Sequence, residues 1–143
     1  MGFVKRDVVE DERHVAVLVG GLMESIRSAF DAEDWDGLRQ SHFRVIAHVP
    51  AQGISVTDLA ERVRMTKQGC GQFVSHLVGT GHLETGADPS DARVRVVRRT
   101  AAGEQNVRDV TERMGRIEDE WRAQVGERRY ATFRAVVEEI VLG

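Results

Sequence analysis

The segment from Ile54 to Thr100 constrains this chain more than any other: ISVTDLAERVRMTKQGCGQFVSHLVGTGHLETGADPSDARVRVVRRT. Ser55 stands three residues before Asp58, the spacing of a capping box, although Asp in place of Glu or Gln makes it a weak one. The short helix it opens turns Leu59 and Val63 inward, with Ala60 small enough to lie against a neighbour. Thr66 is the next N-cap candidate, so a turn of only three or four residues separates two helices. A short helix, a tight turn and a second helix make a helix-turn-helix pattern. In the second helix Cys70, Phe73, Val74 and Leu77 follow the i, i+3, i+4, i+7 rule and face the core, and Gly81 marks its stop. A short strand, the turn-rich GADPSD and a second strand follow. Val94 and Val96 alternate there with Arg93 and Arg95, the period of a strand. A hairpin directly after a helix-turn-helix is a wing.

The outward side of the second helix is unusual. Thr66, Lys67, Gln68, Gly71, Gln72, Ser75 and His76 fall on it, and no carboxylate occurs from Lys67 to Leu83. A solvent-facing helix ordinarily mixes both charges. Gln pairs with the adenine edge in a major groove, and Lys binds guanine or phosphate. Gly69 and Gly71 each cost about 1 kcal/mol against Ala in a helix interior. Close approach to a phosphate chain or close helix packing explains such a choice, and the sequence leaves both readings open. Charge supports the first. Residues 62–99 hold seven basic side chains against three acidic ones, a local +4 that leaves −7 for the rest of a chain whose net charge is −3. A basic region on an acidic body is the footprint of a localised anionic partner, set against the simpler reading of a solvated charged face.

Around this centre the chain is helical. A wide apolar stripe from about Arg13 to Phe30 (Val15, Leu18, Leu22, Ile26, Ala29) exceeds what a monomeric surface helix requires, and Gly20 and Gly21 weaken it or admit a close neighbour. A second helix from about Leu38 to Val49 ends at Pro50. Val107, Val110, Met114, Ile117 and Trp121 repeat at 3-4-3-4 spacing, and after Gly126 another stripe runs through Tyr130, Phe133, Val137, Ile140 and Val141. These terminal helices suggest a homodimer interface; the alternative is that they cover a monomeric core. The expected organisation is an N-terminal dimerisation helix over 1–37, a winged helix-turn-helix over 38–101 and C-terminal dimerisation helices over 102–143, within one mainly α domain with a small β-hairpin wing.

At 143 residues, 41% hydrophobic and 30% charged, the composition is that of an ordinary globular chain. No apolar run approaches the ~20 residues of a membrane helix, and the start lacks a secretory signal, so cytoplasmic residence and no membrane partner are expected. One Cys excludes an internal disulfide. The five His have neither H-x-x-x-H nor H-E-x-x-H spacing, no phosphate loop or nucleophile elbow occurs, and no catalytic residue, metal site or cofactor is expected.

The run MTKQGCGQFVSHLVGTGHL, then DPSDARVRVV, then TAAGE, resembles the MarR family of bacterial winged-helix regulators. Asp91, Arg93, Val97, Thr100 and Gly103 match its wing signature, while Arg99 replaces a usual Leu and Gly69 a usual helix former. The resemblance implies a dimer placing one recognition helix per subunit in successive major grooves of double-stranded DNA, with Arg93 at the wing tip fixed by Asp91. It implies transcriptional regulation, as a repressor, and in many members release by a small aromatic effector. Trp35, His42 and His48 are the effector candidates, against a reading of Trp35 as packing and the histidines as polar surface. Cys70 invites a redox-sensor reading, but its place on the apolar stripe opposes one. A rival function is a winged-helix module for protein contacts, its basic wing meeting an acidic partner.

Overall fold

The computed structural model describes residues 14–143. Arg13, where the first helix is expected to begin, and the rest of 1–13 lie outside the described residues. Helix α1 spans Val15–Asp31, α2 Gln40–Ala47, α3 Val56–Val63 and α4 Lys67–Gly79. Strands β1 (Leu83–Asp88) and β2 (Asp91–Arg99) follow, then α5 (Ala101–Val125) and α6 (Glu127–Leu142). By compactness the chain divides into two units. One joins the residues through Ala32 to Glu112–Gly143; the other is Glu33–Thr111.

In the unit Glu33–Thr111, both expected caps form. Ser55 Oγ accepts from Asp58 N at 3.1 Å and Thr66 Oγ1 from Gly69 N at 3.0 Å. Between α3 and α4 the chain reverses through Arg64, whose φ of 55° is left-handed. The core draws on every element: Phe43, Val45 and Ile46 of α2, Leu59 and Val63 of α3, Cys70, Val74 and Leu77 of α4, Leu83 and Val97 of the strands, all at most 5% exposed. Each large side chain so buried contributes about 1.5–3 kcal/mol. Helix α2 is shorter than the periodicity suggests. Leu38 and Val49 are buried, but they flank the helix and are not part of it.

The two strands pair antiparallel, Leu83 opposite Arg99 through Ala87 opposite Arg95, with an irregularity at Ala87/Asp88. A third backbone joins them: Ile54 and Val97 exchange both N–H···O bonds, at 3.0 and 2.7 Å. That single bridge ties the start of the helix-turn-helix to the base of the wing. The wing also docks on α5. Thr100 Oγ1 donates to Gly81 O and accepts from Gly103 N, and Thr100 N donates to His82 O at 3.2 Å. A Cβ on Gly103 would stand 2.1 Å from the His82 carbonyl oxygen, so only glycine fits.

In the other unit, Ile117 is fully buried, Phe30 and Tyr130 are nearly so, and Arg113 Nη2 donates to Ala29 O at 3.4 Å. Tyr130 of α6 donates its hydroxyl to Glu118 of α5, which also accepts from Arg134 Nη1 at 3.1 Å. The Arg122 guanidinium lies 4.7 Å over the Tyr130 ring. Burial, then the Glu118 bond, push the Tyr130 phenol up to about 12. Large apolar side chains remain open on this unit: Val15, Leu18, Val19 and Met23 of α1, and Phe133, Val137, Ile140 and Val141 of α6. Among the described residues, a Cβ at Gly20 or Gly21 would meet nothing within 4 Å, so neither glycine serves packing against them.

Candidate nucleic-acid interface

Helix α4 is amphipathic in the sense its sequence implies. Cys70, Val74 and Leu77 are buried and Phe73 is half-buried. Thr66, Lys67, Gln68, Gln72, Ser75 and His76 are exposed, with Gly71 half-exposed among them. Among the described residues, a Cβ built on Gly71 would have no atom within 4 Å, which removes close packing against them as its reason. Gly69 differs: its Cβ would stand 3.0 Å from Thr66 Oγ1, against the hydroxyl that caps the helix. With that cap on Gly69, the amides of Lys67 and Gln68 stand at a positively polarised helix end.

At the wing tip, Asp88 Oδ1 accepts from Ser90 N and Oγ at 2.8 and 2.7 Å, closing the Pro89–Ser90 turn. Asp91 Oδ1 accepts from Arg93 N and Nε at 3.1 and 3.2 Å, and Oδ2 from Nη2 at 3.4 Å. These bonds hold the Asp91 carboxyl below the usual carboxylate range. The Arg93 side chain nevertheless stays 91% exposed, aimed but not covered. Arg95 is exposed and donates to Thr85 Oγ1 at 3.3 Å. The two arginines nearer the base turn inward: Arg98 donates to Ala87 O at 3.3 Å. Arg99 Nε lies 3.1 Å from Glu104 Oε1 of α5, yet this buried N–H makes no aligned hydrogen bond, so the contact is a charge attraction. The Arg99 side chain is 16% exposed, its stem filling the place of a leucine.

The effector candidates have separate surroundings. Trp35 packs on Phe43 with ring centroids 5.0 Å apart. Exposed His48 sets Nδ1 2.7 Å from the Arg44 carbonyl. His42 is half-buried, edge-on to Phe73 at 5.4 Å and stacked on His76 at 4.9 Å and 28°. Burial pushes the Cys70 thiol up, the opposite of what a sensor thiolate needs. A cleft of about 560 Å³ opens between α3 and the wing, lined by Pro50, Ile54, Asp58, Arg62, Val94 and Val96 among others, and none of the three effector candidates borders it. Among the described residues, no three His, Cys, Asp or Glu gather as a metal site, and no helix is long and apolar enough to cross a membrane.

The MarR family model matches residues 36–94, the winged centre described above. The winged centre of this chain is similar to the MarR family. Solved structures agree in fold along almost the whole length. The reduced form of MarR from E. coli superposes with a TM-score of 0.77 at 14% identity, over 95% of this chain and 99% of that one. The PcaV transcriptional regulator from Streptomyces coelicolor, in complex with its natural ligand, gives 0.68 at 21% identity, over 94% and 96%. CouR from Rhodococcus jostii RHA1, bound to p-coumaroyl-CoA, gives 0.65 at 18% identity, over 88% and 87%. No curated protein matches the sequence. Sequence reasoning missed three contacts of this unit: the Ile54 bridge, the steric demand at Gly103 and the His42–His76 stack. Only Gly103 left a trace in the sequence, as a glycine opening a helix.

Proposed function

We propose that this chain is a MarR-family regulator that binds double-stranded DNA as a homodimer and represses transcription. The observation that carries the reading is the exposed face of α4, which has cations and amides but no carboxylate, in the same compact unit as an exposed Arg93 pre-set by Asp91. Thr66, Lys67, Gln68, Gly71, Gln72, Ser75 and His76 read the major groove. Arg93, held by Asp91, and Arg95 enter the minor groove, acting through charge and groove width more than base identity. The bare apolar faces of α1 and α6 support dimerisation: Val15, Ile140 and Val141 are each more than 70% exposed in a single chain. Open Gly20 and Gly21 let a partner helix approach closely.

Two-fold symmetry requires an inverted repeat with half-sites about 34–36 Å apart. Selection of bound sequences from random duplexes tests this. Recovery of such a repeat supports the proposal; recovery of unrelated sequences, with no enrichment, contradicts it. A small-molecule effector enters by likeness to PcaV, solved with its natural ligand, and its aromatic character by likeness to CouR, bound to p-coumaroyl-CoA, with Trp35, His42 and His48 as its proposed contacts. Titration calorimetry with phenolic ligands on the wild type and Trp35→Ala tests those contacts. DNA regulation places the protein in the cytoplasm.

A further inference from the structure

His76 belongs to the proposed DNA-reading face, but its ring is not free. It lies on His42 of α2, centroids 4.9 Å apart and nearly parallel at 28°. His42 also meets Phe73 in a T-shaped contact, centroids 5.4 Å apart. His42 also caps its own helix, where its Nδ1 accepts the backbone N–H of Arg39 at 2.8 Å, at the start of α2. An Nδ1 that accepts carries no proton, so His42 is the neutral tautomer with hydrogen on Nε2. Protonating it would turn N–H against N–H, lose that bond and place a second cation on the stack.

The charged and titratable groups acting on His42 come from three places: Arg39 before α2, His76 on α4 and His82 after α4. Arg39 is a cation and the other two are imidazoles; among the described residues no carboxylate joins them. Burial first, then His76, Arg39 and His82, hold the His42 imidazole below its ordinary value.

We propose that His42 and His76 form a one-proton unit in which His42 is a neutral positioning residue and His76 carries the charge to the DNA, making duplex binding proton-coupled. The proposal rests on the reading of α4 as the DNA-contacting helix. A proton on His76 is stabilised by a nearby phosphate chain, and by linkage the same proton strengthens the DNA complex. Each protomer takes up at most one proton this way, so a dimer gains up to about a hundredfold per pH unit at the steepest point. A second proton, forced onto His42 in more acid solution, breaks the Arg39 bond and opens the stack.

The test has two arms. Nitrogen NMR of the histidine rings in the free protein reads tautomer and charge without DNA. The expected result is His42 neutral with its proton on Nε2 while His76 becomes charged; His42 charging first overturns the proposal. Anisotropy titrations on a selected duplex, at fixed ionic strength, read the gain from pH 8 to 6 and the fall on continuing to pH 5. Wild type gains at least about fivefold as pH falls. His76→Gln loses the gain, His14→Gln keeps it, and His42→Phe keeps the gain while losing the fall in more acid solution. A flat wild-type profile with tight binding overturns this inference and leaves the proposed function standing. Absence of duplex binding at every pH overturns both.

Discussion

Replacing Gly71 by Ala separates folding from DNA recognition at one atom. Gly71 lies in the interior of α4, where Ala is favoured over Gly by about 1 kcal/mol. The new Cβ would meet nothing within 4 Å, so no steric cost offsets that gain. A stabilisation of this size raises the melting temperature by a few degrees. The methyl points into the proposed interface, where it would hold the helix off the groove. Loss of one direct side-chain contact to a base costs about 1–3 kcal/mol, so affinity falls about fivefold to a hundredfold. Calorimetric melting and fluorescence anisotropy on the selected duplex read the two quantities separately. A lower melting point would refute the open-space reading of Gly71. A higher one with unchanged affinity would refute close approach of this face to DNA. Gly69→Ala is the internal comparison: its Cβ crowds the capping hydroxyl of Thr66, so its gain in stability is smaller.

Other perturbations follow from single contacts. Arg93→Ala removes the exposed wing-tip guanidinium, and duplex affinity falls at least about fivefold with melting unchanged; equal affinity removes the wing from the interface. Gly103→Ala drives a methyl into the His82 carbonyl and destabilises the unit by about 1–3 kcal/mol in denaturant melts. Gly115→Ala in the same helix meets nothing and stabilises by about 1 kcal/mol. Tyr130→Phe loses the bond to Glu118 and about 1 kcal/mol. The Tyr130 phenol ionises at about 12 when folded against an ordinary 10, so its contribution holds below pH 10 and is lost as pH climbs from 10 to 12. Alkaline melts of the Phe variant lack that component of the decline.

What the sequence disclosed was local. The caps at Ser55 and Thr66, the buried stripe Cys70–Val74–Leu77 and the period of β2 each depend on residues within one turn or one strand of each other. Arg93 and Arg95, singled out for their place near the hairpin tip, are exposed while Arg98 and Arg99 nearer its base are partly covered, because position along a hairpin arm fixes distance from its base. Contacts between distant segments were silent. A single bridge at Ile54 has no periodicity to betray it. The seat of Gly103 depends on a carbonyl at His82, beyond the hairpin. His42 looked like a polar surface residue because nothing near it in sequence announces His76. Helix α2 is shorter than its periodicity predicts for a related reason: Leu38 and Val49 are buried at helical spacing, yet burial does not require them to be helical.

Salt dependence of duplex binding tests the polyanion reading most directly. A dimer that neutralises several phosphates with Lys67, Arg93, Arg95 and their symmetry mates loses about 10³-fold or more in affinity between 50 and 200 mM salt. Affinity that stays within a few-fold over that range would contradict electrostatic docking of α4 and the wing on DNA, and would leave the basic wing to an acidic protein partner.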